Sequence, residues 1–148
     1  MKKLEIACFN LESALIAQES GADRVELCAD IHLGGTTPSI EIIQKAKANL
    51  IIPIYIMIRP RGGNFVYSDA EFQQMKDAIL KLKTLAINGF VFGILNEDHT
   101  INSNQNTELV NLAKPILCTF HRAFDEVINY KIALEEVVSC GFSTILTS

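Results

Sequence analysis

Hydrophobic positions along this chain alternate between two periods. Short runs rich in branched side chains occur at LEIACF (4–9), RVELCA (24–29), IPIYIMIR (52–59), FVFGIL (90–95), ILCTFH (116–121) and TILT (144–147), which reads as buried strands. Between them, apolar residues recur every three or four positions, as on helices. Asn10 caps a helix running to about Ser20 and closed by Gly21. Thr37-Pro38 reads as an N-cap followed by a first-turn proline. Ser68 and Glu71 form a capping box, with Tyr67 and Phe72 as its hydrophobic staple. That helix carries Phe72, Met75, Ile79, Leu82 and Leu85 and stops near Asn88-Gly89. A shorter helix covers Glu108–Lys114, and the last runs from Asn129 through Ile132, Leu134, Val137 and Val138 to Gly141.

Strands that alternate with helices and are nearly unbroken in hydrophobicity belong to a parallel sheet covered on its faces. Two architectures satisfy this, a doubly wound open sheet and a (β/α)8 barrel. No GxGxxG or GxxxxGK[ST] follows any strand, so the nucleotide-binding form of the open sheet lacks its phosphate loop. Charged residues also sit inside the strands: Glu5, Glu26 and Arg59. Buried against helices they would be costly; in a barrel they face a lumen that opens at the strands' C-terminal end. The reading is therefore a TIM-type (β/α)8 barrel. Such barrels need roughly 200 residues or more, so the expectation is one incomplete domain over residues 1–148, truncated after about six strands and prone to self-association through its open edges.

Composition adds bounds. The chain has 148 residues, 49% hydrophobic and 20% charged, with a formal charge of -4, which argues against a nucleic-acid partner. The N-terminus lacks a signal-peptide core, and the longest apolar run, IIPIYIMI, is too short to span a bilayer. The expectation is a soluble, cytoplasmic protein with no membrane partner. Cys8, Cys28, Cys118 and Cys140 show no CxxC pair, so neither a structural zinc site nor disulfides are expected.

Parity along the strands sorts the chemistry, because alternate residues share a face. If Glu5 and Glu26 point into the lumen, so does Cys28, whereas Cys8 faces the helices. In the fifth strand Thr119 and His121 share a face, opposite Cys118, Phe120 and Arg122. The lumen set is thus Glu5, Glu26, Cys28, Arg59, Thr119 and His121, which either forms a mutually paired polar plug or a site. In RPRGGNFVY, Arg59 and Arg61 beside Gly62 and Gly63 suit a carboxylate or phosphate; alternatively the arginines pair with Glu26 or Asp125. His121 is a candidate proton carrier or soft-metal ligand, and Arg122 and Asp125 are spaced to pair on one helical turn.

GADRVELC, LGGTTPS, MIRPRGGNFVYSDAEF, TFHRAFD and the terminal ILTS, in this order, closely resemble the CutC copper homeostasis family over residues 3–148. The resemblance implies a TIM-type barrel that is cytoplasmic, forms dimers or larger oligomers and binds Cu(I) through cysteines, or else is an enzyme of unknown reaction. It carries the family's ELC cysteine onto Cys28. The other often-cited cysteine, third in an E-V-C stretch, falls on Ala7, and Asn64 stands where an aspartate commonly follows RPRGG. It also implies two further strands and a C-terminal tail beyond ILTS.

Two functions follow as expectations. One is Cu(I) handling through Cys28. The other is acid–base catalysis on a small anionic metabolite, with Arg59 and Arg61 as clamp, Glu26 or His121 moving a proton, and Glu5 holding the arrangement.

Overall fold

Each apolar run becomes a strand, and the strands lie side by side in chain order. The computed structural model describes all of residues 1–148. β1 (Glu5–Cys8), β2 (Arg24–Leu27), β3 (Ile54–Met57), β4 (Gly89–Phe92), β5 (Leu117–Phe120) and β6 (Thr144–Ile145) form one wholly parallel sheet. Helices α1 (Leu11–Glu19), α2 (Ile40–Asn49), α3 (Asp69–Lys83), α4 (Ser103–Ala113) and α5 (Tyr130–Cys140) fill the crossovers. A parallel sheet whose neighbours follow chain order is wound as a barrel; the doubly wound sheet reverses its order at a switch point. These are six strands of a TIM-type barrel. No helix is long and apolar enough to cross a membrane.

Strand alternation separates two apolar layers. On the outer face Val25, Leu27, Ile54, Ile56, Phe90 and Phe92 pack under the helices, with Cys8 and Cys118 among them. On the inner face Cys28, Tyr55, Met57 and Val91 gather with Phe9. The parity argument thus holds: Cys8 faces the helices and Cys28 the lumen. β4 offers little volume to the lumen. A Cβ at Gly89 would lie 2.5 Å from the Tyr55 ring, and one at Gly93 would lie 2.8 Å from Nδ1 of His121. The two glycines leave the room into which a neighbour on each side leans.

Several helix ends differ from the pattern-based expectation. α2 starts at Ile40 with Ser39, not Thr37, as its cap. The Thr37 hydroxyl is engaged elsewhere: it accepts from Arg59 N–H at 2.8 Å and donates to Arg59 O at 3.2 Å. α3 ends at Lys83, short of Asn88-Gly89, with the chain turning through Ala86 at φ 51°. α4 begins at Ser103, well before Glu108, because Asn102 caps it by accepting from Gln105 N–H at 3.0 Å. On α5 the buried face is Ala133, Val137 and Cys140, while Ile132, Leu134 and Val138 point outward at 58%, 43% and 60% exposure. Small residues let that helix approach the sheet, so its larger apolar side chains form an outer surface.

Asn106 is fully buried behind the end of β4. Its Oδ1 accepts from Ile94 N–H at 3.1 Å, and its Nδ2 donates to Ile94 O at 2.8 Å and Asn102 O at 2.9 Å. The side-chain amide completes the hydrogen bonding of backbone that no strand reaches.

Candidate functional site

A cavity of about 210 Å³ opens at the C-terminal end of the strands, where barrel sites form. Its chemistry comes from Glu26, Cys28, Arg59, His121 and Arg122, and its apolar wall includes Phe9, Met57, Phe65 and Leu146. The structure therefore brings together residues from β2, from the loop after β3 and from the turn after β5.

Arg59 is buried, and no carboxylate pairs with it. Nη1 donates to Leu33 O at 2.8 Å and Gly35 O at 3.0 Å, and Nη2 donates to Gly63 O at 2.7 Å. These contacts orient the guanidinium between two loops without neutralising it, and a buried charge is ordinarily neutralised. The guanidinium carbon also lies 4.9 Å from the centre of the Phe65 ring, a cation–π contact that helps hold it.

His121 continues the β4–β5 pairing through its backbone N–H, which donates to Phe92 O at 3.1 Å. Its ring is 4.8 Å from Phe65 and occupies the space Gly93 leaves. Nδ1 accepts from Ala123 N–H at 3.2 Å, so the proton of the neutral ring is assigned to Nε2, which is buried without a partner. Burial and then the nearby Arg59 charge push its pKa down to about 3, so the ring is neutral.

Glu26 is 4% exposed. Burial and then the Glu5 charge push its carboxyl up to about 7, where it holds or releases a proton near neutrality. Its hydrogen-bond contact is the Cys28 thiol, which donates at 3.5 Å. Burial and the Glu26 charge raise the Cys28 pKa, so that group stays a thiol. Thr119 faces the same lumen, its buried hydroxyl without a partner.

Other residues expected at the site lie elsewhere. Glu5 sits at the opposite end of the sheet, across from Arg24 in register, and forms an ion pair with it. Arg61 turns toward α3: Nε donates to Glu71 Oε1 at 2.6 Å, and its other nitrogens donate to Gly62 O, Asn64 O and Val66 O. The two arginines therefore do not converge as a clamp, and neither pairs with Glu26 or Asp125. Gly62 packs against Leu33, where a Cβ would come within 3.0 Å, and Gly63 at φ 86° offers its carbonyl to Arg59. Arg122 and Asp125 do pair, at 2.9 Å, and Asp125 also accepts from Thr147 Oγ1–H at 2.7 Å and Ser148 N–H at 3.1 Å. The pair fastens the segment after β6 and leaves Arg122 on the cavity rim.

Phe65 and Gly93 are site residues that sequence reading missed. A glycine inside the apolar run FVFGIL was the available signal for Gly93, since strand glycines mark close approach. Phe65 had no such signal, because a loop has no period.

Cys28 is the one thiol on the cavity wall, and no group of three or more His, Cys, Asp or Glu is placed to hold a metal ion. Ala7 occupies the wall beside it.

A parallel barrel sheet with polar groups at its C-terminal mouth defines a TIM-barrel protein with a small-molecule-sized pocket. Within that class the chain belongs to the CutC family, whose model matches residues 2–148. A CutC family protein of Proteus mirabilis is 47% identical over all 148 residues, which make up 59% of its length. The Homo sapiens copper homeostasis protein cutC homolog is 44% identical over 98% of this chain and 53% of its own. The chain thus spans little more than half the length of these curated relatives. The solved structure of CutC from Streptococcus agalactiae superposes with a TM-score of 0.93 at 34% identity, over 99% of this chain and 72% of that one. A phosphonopyruvate hydrolase at 12% identity and TM-score 0.67 shares the fold alone.

Proposed function

We propose that the chain serves copper homeostasis, as its relatives' names suggest, that it does so in the cytoplasm, and that it acts by binding a small carboxylate or phosphate compound and moving a proton on it. The observation that carries this reading is Arg59, a buried guanidinium with no acidic partner at the edge of a cavity. An anionic ligand supplies the missing charge. The cavity lies below the roughly 300–1,000 Å³ of drug-sized sites, so the ligand is small. Glu26, with a pKa of about 7, carries the proton.

A thermal-shift screen of small carboxylates and phosphates tests this, because a ligand that binds only the folded chain raises its melting temperature. Arg59→Lys, which keeps the charge and loses the fork, should erase the shift, and Arg61→Ala should leave it. A screen without any shift rejects the reading.

The inward position of Cys28 favours a second reading, in which copper is cargo. Cu(I) is soft and takes thiolates, so Cys28 would need a second soft donor from another copy in a homo-oligomer. The apolar outer face of α5 is available for self-association. In a Cu(I) competition assay Cys28→Ala should then abolish tight binding; unchanged affinity, or a monodisperse monomer in sedimentation, removes this alternative.

A further inference from the structure

We propose that the cavity removes a proton from a carbon next to a carbonyl group, with Glu26 as the base and the Nε2–H of His121 as the donor to the oxygen on which negative charge collects. This rests on the anion-binding reading above and assigns it a reaction class. The substrate class is a 2-oxo carboxylate of about three or four carbons, set by the small cavity.

The geometry divides the labour. His121 cannot act as the base at the cavity, because its lone pair is on Nδ1 and is used by the Ala123 N–H. What it presents is Nε2–H, buried and without a partner. A buried donor left unmade costs about 1–3 kcal/mol, a penalty that a ligand oxygen removes. The ring cannot readily rotate to change this, since Gly93, Phe65 and Phe120 surround it. A fixed neutral donor carried by a residue of the cavity wall is suited to an oxyanion. Glu26 is the remaining group on the wall able to take a proton near neutral pH. The thiol of Cys28 is spent as a donor to it. Arg59 meets the substrate carboxylate.

The step balances without any further reactant. Glu26 takes the proton from C3 of the oxo acid as the C3–H bond breaks. That electron pair forms the C2=C3 bond, and the carbonyl π pair moves onto oxygen as an enolate held by His121. Return of the proton from Glu26 to C3 regenerates the ketone. In D2O the Glu26 proton is replaced by deuterium, so deuterium enters C3.

Pyruvate is the probe, followed by proton NMR of its methyl group in D2O with the 148-residue chain. We expect protein-dependent loss of the methyl signal, reduced about a hundredfold or more in Glu26→Gln and partly kept in Glu26→Asp. Nitrogen NMR of His121 should report the neutral Nε2–H form throughout pH 6–8. Exchange no faster than in buffer overturns the proposal, as does exchange that survives Glu26→Gln, or a cationic or Nδ1–H imidazole. Heat stabilisation by pyruvate, measured in parallel, separates the two readings. Stabilisation without exchange overturns proton abstraction and leaves anion binding; absence of both overturns the 2-oxo acid proposal, and anion binding is then decided by the wider screen of carboxylates and phosphates.

Discussion

The two ends of the sheet use the same residue types and do opposite things with them. At the N-terminal end Glu5 and Arg24 face each other in register, pair, and sit half-buried, with the guanidinium carbon 4.2 Å from the Tyr55 ring centre. Charge there is balanced within the chain. At the C-terminal end Arg59 has carbonyls but no acid, Glu26 has a thiol but no cation of its own, and His121 has a donor with no acceptor. The first arrangement is finished without a ligand. The second is chemically incomplete, and that incompleteness on a cavity wall is what makes it the candidate site.

The contrast can be broken experimentally, beginning with the largest effect. Arg59→Met should destabilise the fold by about 2 kcal/mol, because the loop carbonyls of Leu33, Gly35 and Gly63 lose a charged donor; urea denaturation measures this. A loss under ~1 kcal/mol would show that the guanidinium does not hold the two loops.

The pH dependence of stability comes next. An unfolded glutamate releases its proton near 4.5, whereas folded Glu26 keeps it to about 7, so this group makes stability fall as pH rises across that window. An unfolded histidine takes up a proton below 6.5, whereas folded His121 refuses one until about 3, so this group makes stability fall as pH falls. Between pH 4.5 and 6.5 the two trends oppose each other. Glu26→Gln should leave a rise with pH and His121→Gln a fall, each about 1.4 kcal/mol per pH unit at most. Parallel slopes in the two variants would contradict the assignment.

Gly93→Ala should cost about 2 kcal/mol by overpacking and shift the His121 ring resonances, while leaving the Glu5–Arg24 end undisturbed. Arg24→Met, at the balanced and half-exposed end, should cost about 0.5 kcal/mol.

Much of this was legible because strands have a strict period. Once Glu26 is placed inward, Cys28 must follow and Cys8 must face the helices, and both do. His121 was placed by the same rule. The failures fall where no period operates. Arg59 and Arg61 lie two apart in a loop, so nothing in the sequence says that one turns to the cavity and the other to Glu71. Thr37 looked like a cap because a hydroxyl before proline usually is one, but Arg59 claims that hydroxyl from 22 residues away in sequence. On α5 the helix itself was legible, but of its four large apolar residues only Val137 is buried, because Ala133 and Cys140 fit closer to the sheet.

Asn106 carries a consequence for the ageing of the protein. Loss of its amide nitrogen by hydrolysis changes the side chain by a single heavy atom and barely alters its shape. The product would nevertheless set a carboxylate against the oxygens of Ile94 and Asn102, where an N–H group now donates to each. The join between β4 and the start of α4 is therefore fastened by a group that hydrolysis would convert from a bond into a repulsion, and slow chemical wear at this one place would loosen the packing of α4 behind the sheet.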